Sequence, residues 1–125
     1  MGSLLALTVM GGQAQAGDAE AGKKSVEAKC LACHDFGAVF SKAGKVGPPL
    51  QGAVVGRAAG KDAAYKYSKP FLDKAATGLT WDEATLDTYL KKPGDFIKGT
   101  KMMAFPGIAD DAERANVIAF LKTLK

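Results

Sequence analysis

An all-α domain interrupted by two long irregular loops is the fold this sequence predicts. Three observations lead there. In the last third of the chain apolar residues recur three and four apart. Side chains able to cap a helix stand ahead of those runs. Nowhere do apolar and polar residues alternate as they would along a half-buried strand. At 125 residues the chain is long enough for one domain and too short for two ordinary ones.

The first helix is expected from Asp18 to about Lys29, with Asp18 accepting from first-turn N–H groups and Glu20 facing the positive end of the helix dipole. From Asp35 to Tyr67 the chain is rich in Gly, Pro and Lys and keeps no sustained period. So long an irregular stretch in a small domain needs something to pack on. Ser68-Lys69-Pro70 opens a short helix, with Ser68 as cap and Gly78 near its stop. Thr80-Trp81-Asp82-Glu83 reads as a capping box ahead of a helix with Leu86, Tyr89 and Leu90 on one face, ended by Pro93-Gly94. Residues 94–109 form a second irregular loop that contains Met102 and Met103. The last helix starts at Asp110, with Glu113 three residues on, and carries Val117, Ile118, Leu121 and Leu124 on one face. Lys122 and Lys125 suit its negative end.

Residues 1–16 read as the remnant of a secretory signal peptide. Leu4 to Met10 is apolar but far too short to span a bilayer, and Ala14-Gln15-Ala16 has the small-x-small pattern of a cleavage site. No Lys or Arg precedes the run. The domain proper is then 17–125, and the expected location is the bacterial periplasm.

Chemistry concentrates at Cys30-Leu31-Ala32-Cys33-His34. These are the two cysteines and the one histidine of the whole chain, gathered within five residues. A Cys-x-x-Cys-His run is the attachment pattern of c-type haem: both sulfurs add to the porphyrin's vinyl groups and the imidazole lies beside the iron. Thioether bonds would consume both thiols, so a disulfide is not expected even in an exported protein. A thiol–disulfide oxidoreductase would need a strand–helix–strand setting and leaves His34 unexplained. Two Cys and one His fall short of a structural zinc site. A body this small has a limited core, so haem attachment and folding are expected to be coupled, leaving the haem-free chain poorly ordered.

An iron that passes electrons without binding small molecules needs a second axial ligand. With no other histidine, the candidates are the methionines, and Met1 and Met10 lie in the leader. Met102 and Met103 remain, both in the late loop. A neutral, soft thioether favours ferrous iron and raises the reduction potential.

Taken in order, these segments resemble the class I cytochromes c, closest to the bacterial cytochrome c2 group and mitochondrial cytochrome c. Gly17-Asp18-Ala19-Glu20-Ala21-Gly22-Lys23-Lys24 resembles the family's N-terminal helix entry, and Asn116 to Lys122 the C-terminal helix that packs on Gly22. Val46-Gly47-Pro48-Pro49-Leu50 is similar to the segment whose Pro48 carbonyl takes a hydrogen bond from the proximal imidazole. The resemblance implies propionate contacts for Arg57, Tyr67 and Trp81, and places Tyr89 near the distal sulfur. It implies an all-α fold of about four to five helices wrapped around one covalent haem c. Lys98-Gly99-Thr100-Lys101-Met102-Met103-Ala104-Phe105-Pro106-Gly107 resembles the methionine loop, with one residue more than the family usually has. Counting forward from Gly99 selects Met102; counting back from Phe105 and Gly107 selects Met103. Met103 is the expected ligand, with Met102 the alternative, because Met-Ala-Phe-x-Gly keeps the spacing to the aromatic wall. Val26 stands where the family commonly has an aromatic, and Ala53 is an extra residue before Gly56-Arg57.

Seventeen Lys and Arg against thirteen Asp and Glu give a formal charge of +4. Lys29, Lys42, Lys45, Lys98 and Lys101 flank the loops and would steer docking onto acidic faces of redox partners. No groove-reading motif or aromatic–basic platform points to nucleic acid. The expected function is that of a soluble, monomeric one-electron carrier, not an enzyme and not stably inserted in a membrane. By resemblance its donor is a bc1-type complex or a dehydrogenase, and its acceptor a terminal oxidase or a photosynthetic reaction centre. The alternative is a five-coordinate gas-binding or peroxidase-like c-type haem protein.

Overall fold

The computed structural model describes residues 17–40, 44, 46–50, 52–62 and 65–124. The signal-peptide reading of 1–16, and Lys42, Lys45 and Lys125, lie outside them. Among the described residues the fold has five helices: α1 (Ala19–Lys29), α2 (Lys69–Ala75), α3 (Glu83–Lys91), the single turn α4 (Pro93–Phe96) and α5 (Asp111–Leu121). Short 3-10 turns occupy Gly37–Val39 and Lys101–Ala104. Among the described residues the extended pairing is limited to one isolated antiparallel bridge, Ala58 with Thr80.

Local chemistry starts four of these helices close to where the sequence places them. Asp18 accepts from the Glu20 and Ala21 N–H groups, Ser68 from Phe71, and Asp110 from Glu113. The third start differs from expectation. Asp82, not Thr80, caps α3 and accepts from the Thr85 N–H at 2.8 Å. Thr80 is held out of the helix by the bridge, flanked by Trp81 N–H to Arg57 O (2.8 Å) and Gly56 N–H to Trp81 O (2.7 Å). Glu83 therefore sits at the first helical position, where it pairs with Lys122 at 3.1 Å instead of reaching back. Pro93-Gly94 likewise does more than end α3: Pro93 is the first residue of α4, a position where its missing N–H costs nothing.

The helices at the two ends of the chain pack on each other. Val26 of α1 and Val117 of α5 are fully buried, and Phe120 and Leu121 on α5 are buried beside them. Gly22 makes the crossing possible, because a side chain there would run into the Asn116 carbonyl oxygen. The Asp18 N–H donates to Asn116 Oδ1 at 2.8 Å, and Lys29 pairs with Glu113 at 2.8 Å. So the contact is close even with valine at position 26. The apolar interior falls into two groups. One joins α1, α3 and α5 through Val26, Leu86, Leu90 and Val117; the other holds Phe71, Tyr89 and Ile97. Trp81 packs against both. Burying each such side chain is worth about 1.5–3 kcal/mol.

Candidate haem site

Between the two groups lies a cleft of about 1410 Å³, counting its open mouth. Cys30, Cys33 and His34 all line it. They are brought together by a turn at the end of α1, in which the Cys33 and His34 N–H groups both donate to Cys30 O, at 3.2 and 3.0 Å. Both cysteines are free thiols. Burial, aided by the neighbouring Cys33, pushes the Cys30 thiol up to about 11.

His34 is buried at 6% exposure, and its Nδ1–H donates to the Pro48 carbonyl at 2.7 Å. This is the bond implied by the resemblance. It makes Nδ1 the protonated nitrogen and leaves Nε2 as the one able to bind a metal. Burial holds the imidazole below its usual pKa, the Pro48 bond opposing it, which favours the neutral ring. Gly47 packs against that ring: a Cβ there would lie 2.5 Å from Cε1. Only a glycine lets the Val46–Leu50 segment come close enough for its Pro48 carbonyl to meet the imidazole.

The other residues expected from the sequence are distributed around the same cleft. Pro48, Arg57, Tyr67, Trp81 and Tyr89 line it. The Arg57 Nε–H donates to Ala53 O at 2.9 Å, so the extra residue in that loop anchors the arginine. The Tyr67 hydroxyl accepts from the Asp62 N–H at 3.1 Å, while its ring stacks on Phe71 with centroids 5.0 Å apart. Trp81 and Tyr89 continue this wall, with ring centroids 5.0 Å apart.

The two methionines separate clearly. Met102 is half-buried, packs with the Phe71–Tyr89 group and lines the cleft. Met103 is 63% exposed and does not. Of the two, Met102, the alternative in the sequence reading, is the one whose side chain lines the cleft. The physical reason is the 3-10 turn over Lys101–Ala104, capped by Thr100 accepting from the Met102 N–H. Neighbours in such a turn point about 120° apart, so one sulfur faces in and the next faces out.

The residues fit a covalently held haem: two free thiols, a neutral imidazole with a fixed tautomer and a thioether share one largely apolar cleft. The family model for cytochrome c matches residues 19–125. The chain belongs to the cytochrome c family. It is 47% identical over 116 residues to cytochrome c2 of Rhodospirillum rubrum, covering 87% of this chain and 99% of that one. Cytochrome c-554 of Methylosinus trichosporium is 43% identical over 118 residues, covering 94% and 83%. The solved structure of cytochrome cH from Methylobacterium extorquens superposes with a TM-score of 0.70 at 44% identity, covering 86% of this chain and 99% of that chain. Membership of this class I group carries covalent haem c and electron transfer with it.

Three residues of this cytochrome's site were not singled out in the sequence. Thr100, 4% exposed, shares a 2.6 Å hydrogen bond with the Tyr89 hydroxyl. The Tyr65 hydroxyl donates to Val46 O at 3.0 Å, and its ring lies 5.2 Å from the Lys101 ammonium, which also donates to Lys66 O. Lys61 lines the cleft beside Lys29 and Lys101, whereas Lys98 is exposed on the turn before the methionine loop. Thr100 stands in the quoted loop motif and was recoverable; Tyr65 and Lys61 carry no local signal.

Proposed function

We propose that this cytochrome is a soluble periplasmic one-electron carrier, with His34 and Met102 as the axial ligands of a single haem bound through Cys30 and Cys33. The observation that carries the reading is that these four side chains line one apolar cleft. When bound, haem c supplies an iron that alternates between ferric and ferrous states. The protein's part is to hold both ligands through that change. Pro48 fixes His34, and Thr100 with Tyr89 fixes the start of the loop that bears Met102. With both positions filled, nothing is left open for chemistry on a substrate, which argues for a carrier and against an enzyme.

Among the described residues no helix is long and apolar enough to cross a membrane. The lysines at the cleft are suited to acidic docking faces, of a bc1-type complex or dehydrogenase as donor and of an oxidase or reaction centre as acceptor. Replacing each methionine by leucine separately tests the ligand assignment. Met102→Leu should abolish the sulfur-to-iron charge-transfer band and open ferrous iron to carbon monoxide; Met103→Leu should change neither. The reverse pattern would restore Met103, and rapid carbon monoxide binding by the unaltered protein would favour the five-coordinate alternative.

A further inference from the structure

Arg114 is a buried cation that the site has not yet used. It lies on α5, well away from the attachment turn in sequence, and is 4% exposed. Four hydrogen bonds hold it. Its Nε–H donates to Asp87 of α3 at 2.8 Å, and one terminal nitrogen donates to Asp111 at 2.6 Å. The other donates to two backbone carbonyls, Ile108 at 3.0 Å and Ala109 at 3.1 Å. Those carbonyls close the loop that bears Met102, and Ile108 is itself 1% exposed with its N–H bonded to Leu90 O at 2.8 Å.

A planar guanidinium presents five donors in a fixed fork, so one side chain can serve two acids and two carbonyls at once. An ammonium has fewer donors and no fixed plane. Asp87 and Asp111 balance the charge, and Arg114 gives the buried Ile108 carbonyl its donor. The loop is thus anchored at both ends. Thr100 and Tyr89 secure its start, and Arg114 ties its finish to α3 and α5. The stretch between, Lys101 to Ala104, is mostly exposed.

We infer that Arg114 is a positioning residue for the axial thioether. It holds the far end of the methionine loop so that Met102 stays at the iron. The inference rests on Met102 being the ligand. Its test is carbon monoxide binding to the ferrous holoprotein, which requires the loop to open, together with the charge-transfer band and the helical circular dichroism. Arg114→Lys keeps the charge but gives up part of the fork. Loss of one charged hydrogen bond should make carbon monoxide binding about tenfold faster. The band should also vanish on heating before the helices melt. Asp87→Asn, a gentler change to the same clamp, should shift both in the same direction and covers the case that Arg114→Lys does not fold. Glu83→Gln removes the ion pair between α3 and Lys122, the residue after α5, without touching the loop, and should leave carbon monoxide binding as it was. If Arg114→Lys and Asp87→Asn bind carbon monoxide at the original rate, or Glu83→Gln speeds it equally, the inference is overturned. An unaltered protein with no charge-transfer band defeats the ligand assignment itself, and this inference with it.

Discussion

The hydroxyls of Tyr89 and Thr100 lie 2.6 Å apart, joining the last turn of α3 to the cap of the 3-10 turn that carries Met102. Both residues are 4% exposed. Neither hydroxyl can turn to water if the other is removed. Tyr89→Phe should therefore cost about 1 kcal/mol, with Thr100 left short of a partner. Denaturant titration of the holoprotein measures it, and an unchanged midpoint would mean that the bond contributes nothing.

The same pair predicts behaviour in alkali. Burial pushes the Tyr89 hydroxyl from 10.0 up to about 12, the Thr100 bond only partly opposing it. The unfolded chain gives up this proton before the folded one does. The stabilisation is whole below pH 10.0 and is lost as pH rises toward about 12. Tyr89→Phe should flatten that part of the stability profile.

Acid acts through a different group. The Thr85 N–H, and then its hydroxyl, hold the Asp82 carboxyl below its ordinary 3.8. Its contribution as the cap of α3 is present above 3.8 and disappears as pH falls through the lower folded value. Asp82→Asn still caps the helix but cannot titrate. Its helical signal should fall less steeply in acid, and an identical acid limb would remove Asp82 from the account.

Gly22→Ala addresses the contact between the first and last helices. The added methyl would meet backbone at Asn116, which cannot step aside as a side chain could. A loss of about 3 kcal/mol or more is expected, at the upper end for overpacking. A loss of only a few tenths would show that the two helices can separate freely.

The lysines at the cleft make a kinetic prediction. Lys29, Lys61 and Lys101 line it. Electron transfer with an acidic partner should slow by about tenfold between low and high salt. A flat response to ionic strength would remove steering by these charges.

What was legible in the sequence follows how far each cause reaches along the chain. Asp18, Ser68 and Asp110 cap helices that begin one residue later, and Cys30, Cys33 and His34 sit in one turn, so their roles show locally. The start of α3 was misplaced by two residues because Thr80 is claimed by Ala58, a partner no local pattern announces. Met102 and Met103 could not be separated by spacing, since both ends of the loop gave valid counts. The facing of a single 3-10 turn puts Met102 toward the cleft and Met103 outside it. Arg114 carries no signal of its own in the sequence, because its partner Asp87 lies 27 residues away on another helix.

The pairing of Asp18 with Asn116 spans 98 residues, which ties the opening of the polypeptide to its close. Cys30 and Cys33 thus lie far ahead in the chain of the helix whose Val117 and Leu121 line their cleft. Until the first and last helices meet, that side of the cleft is open and the attachment turn stays reachable without undoing a finished fold.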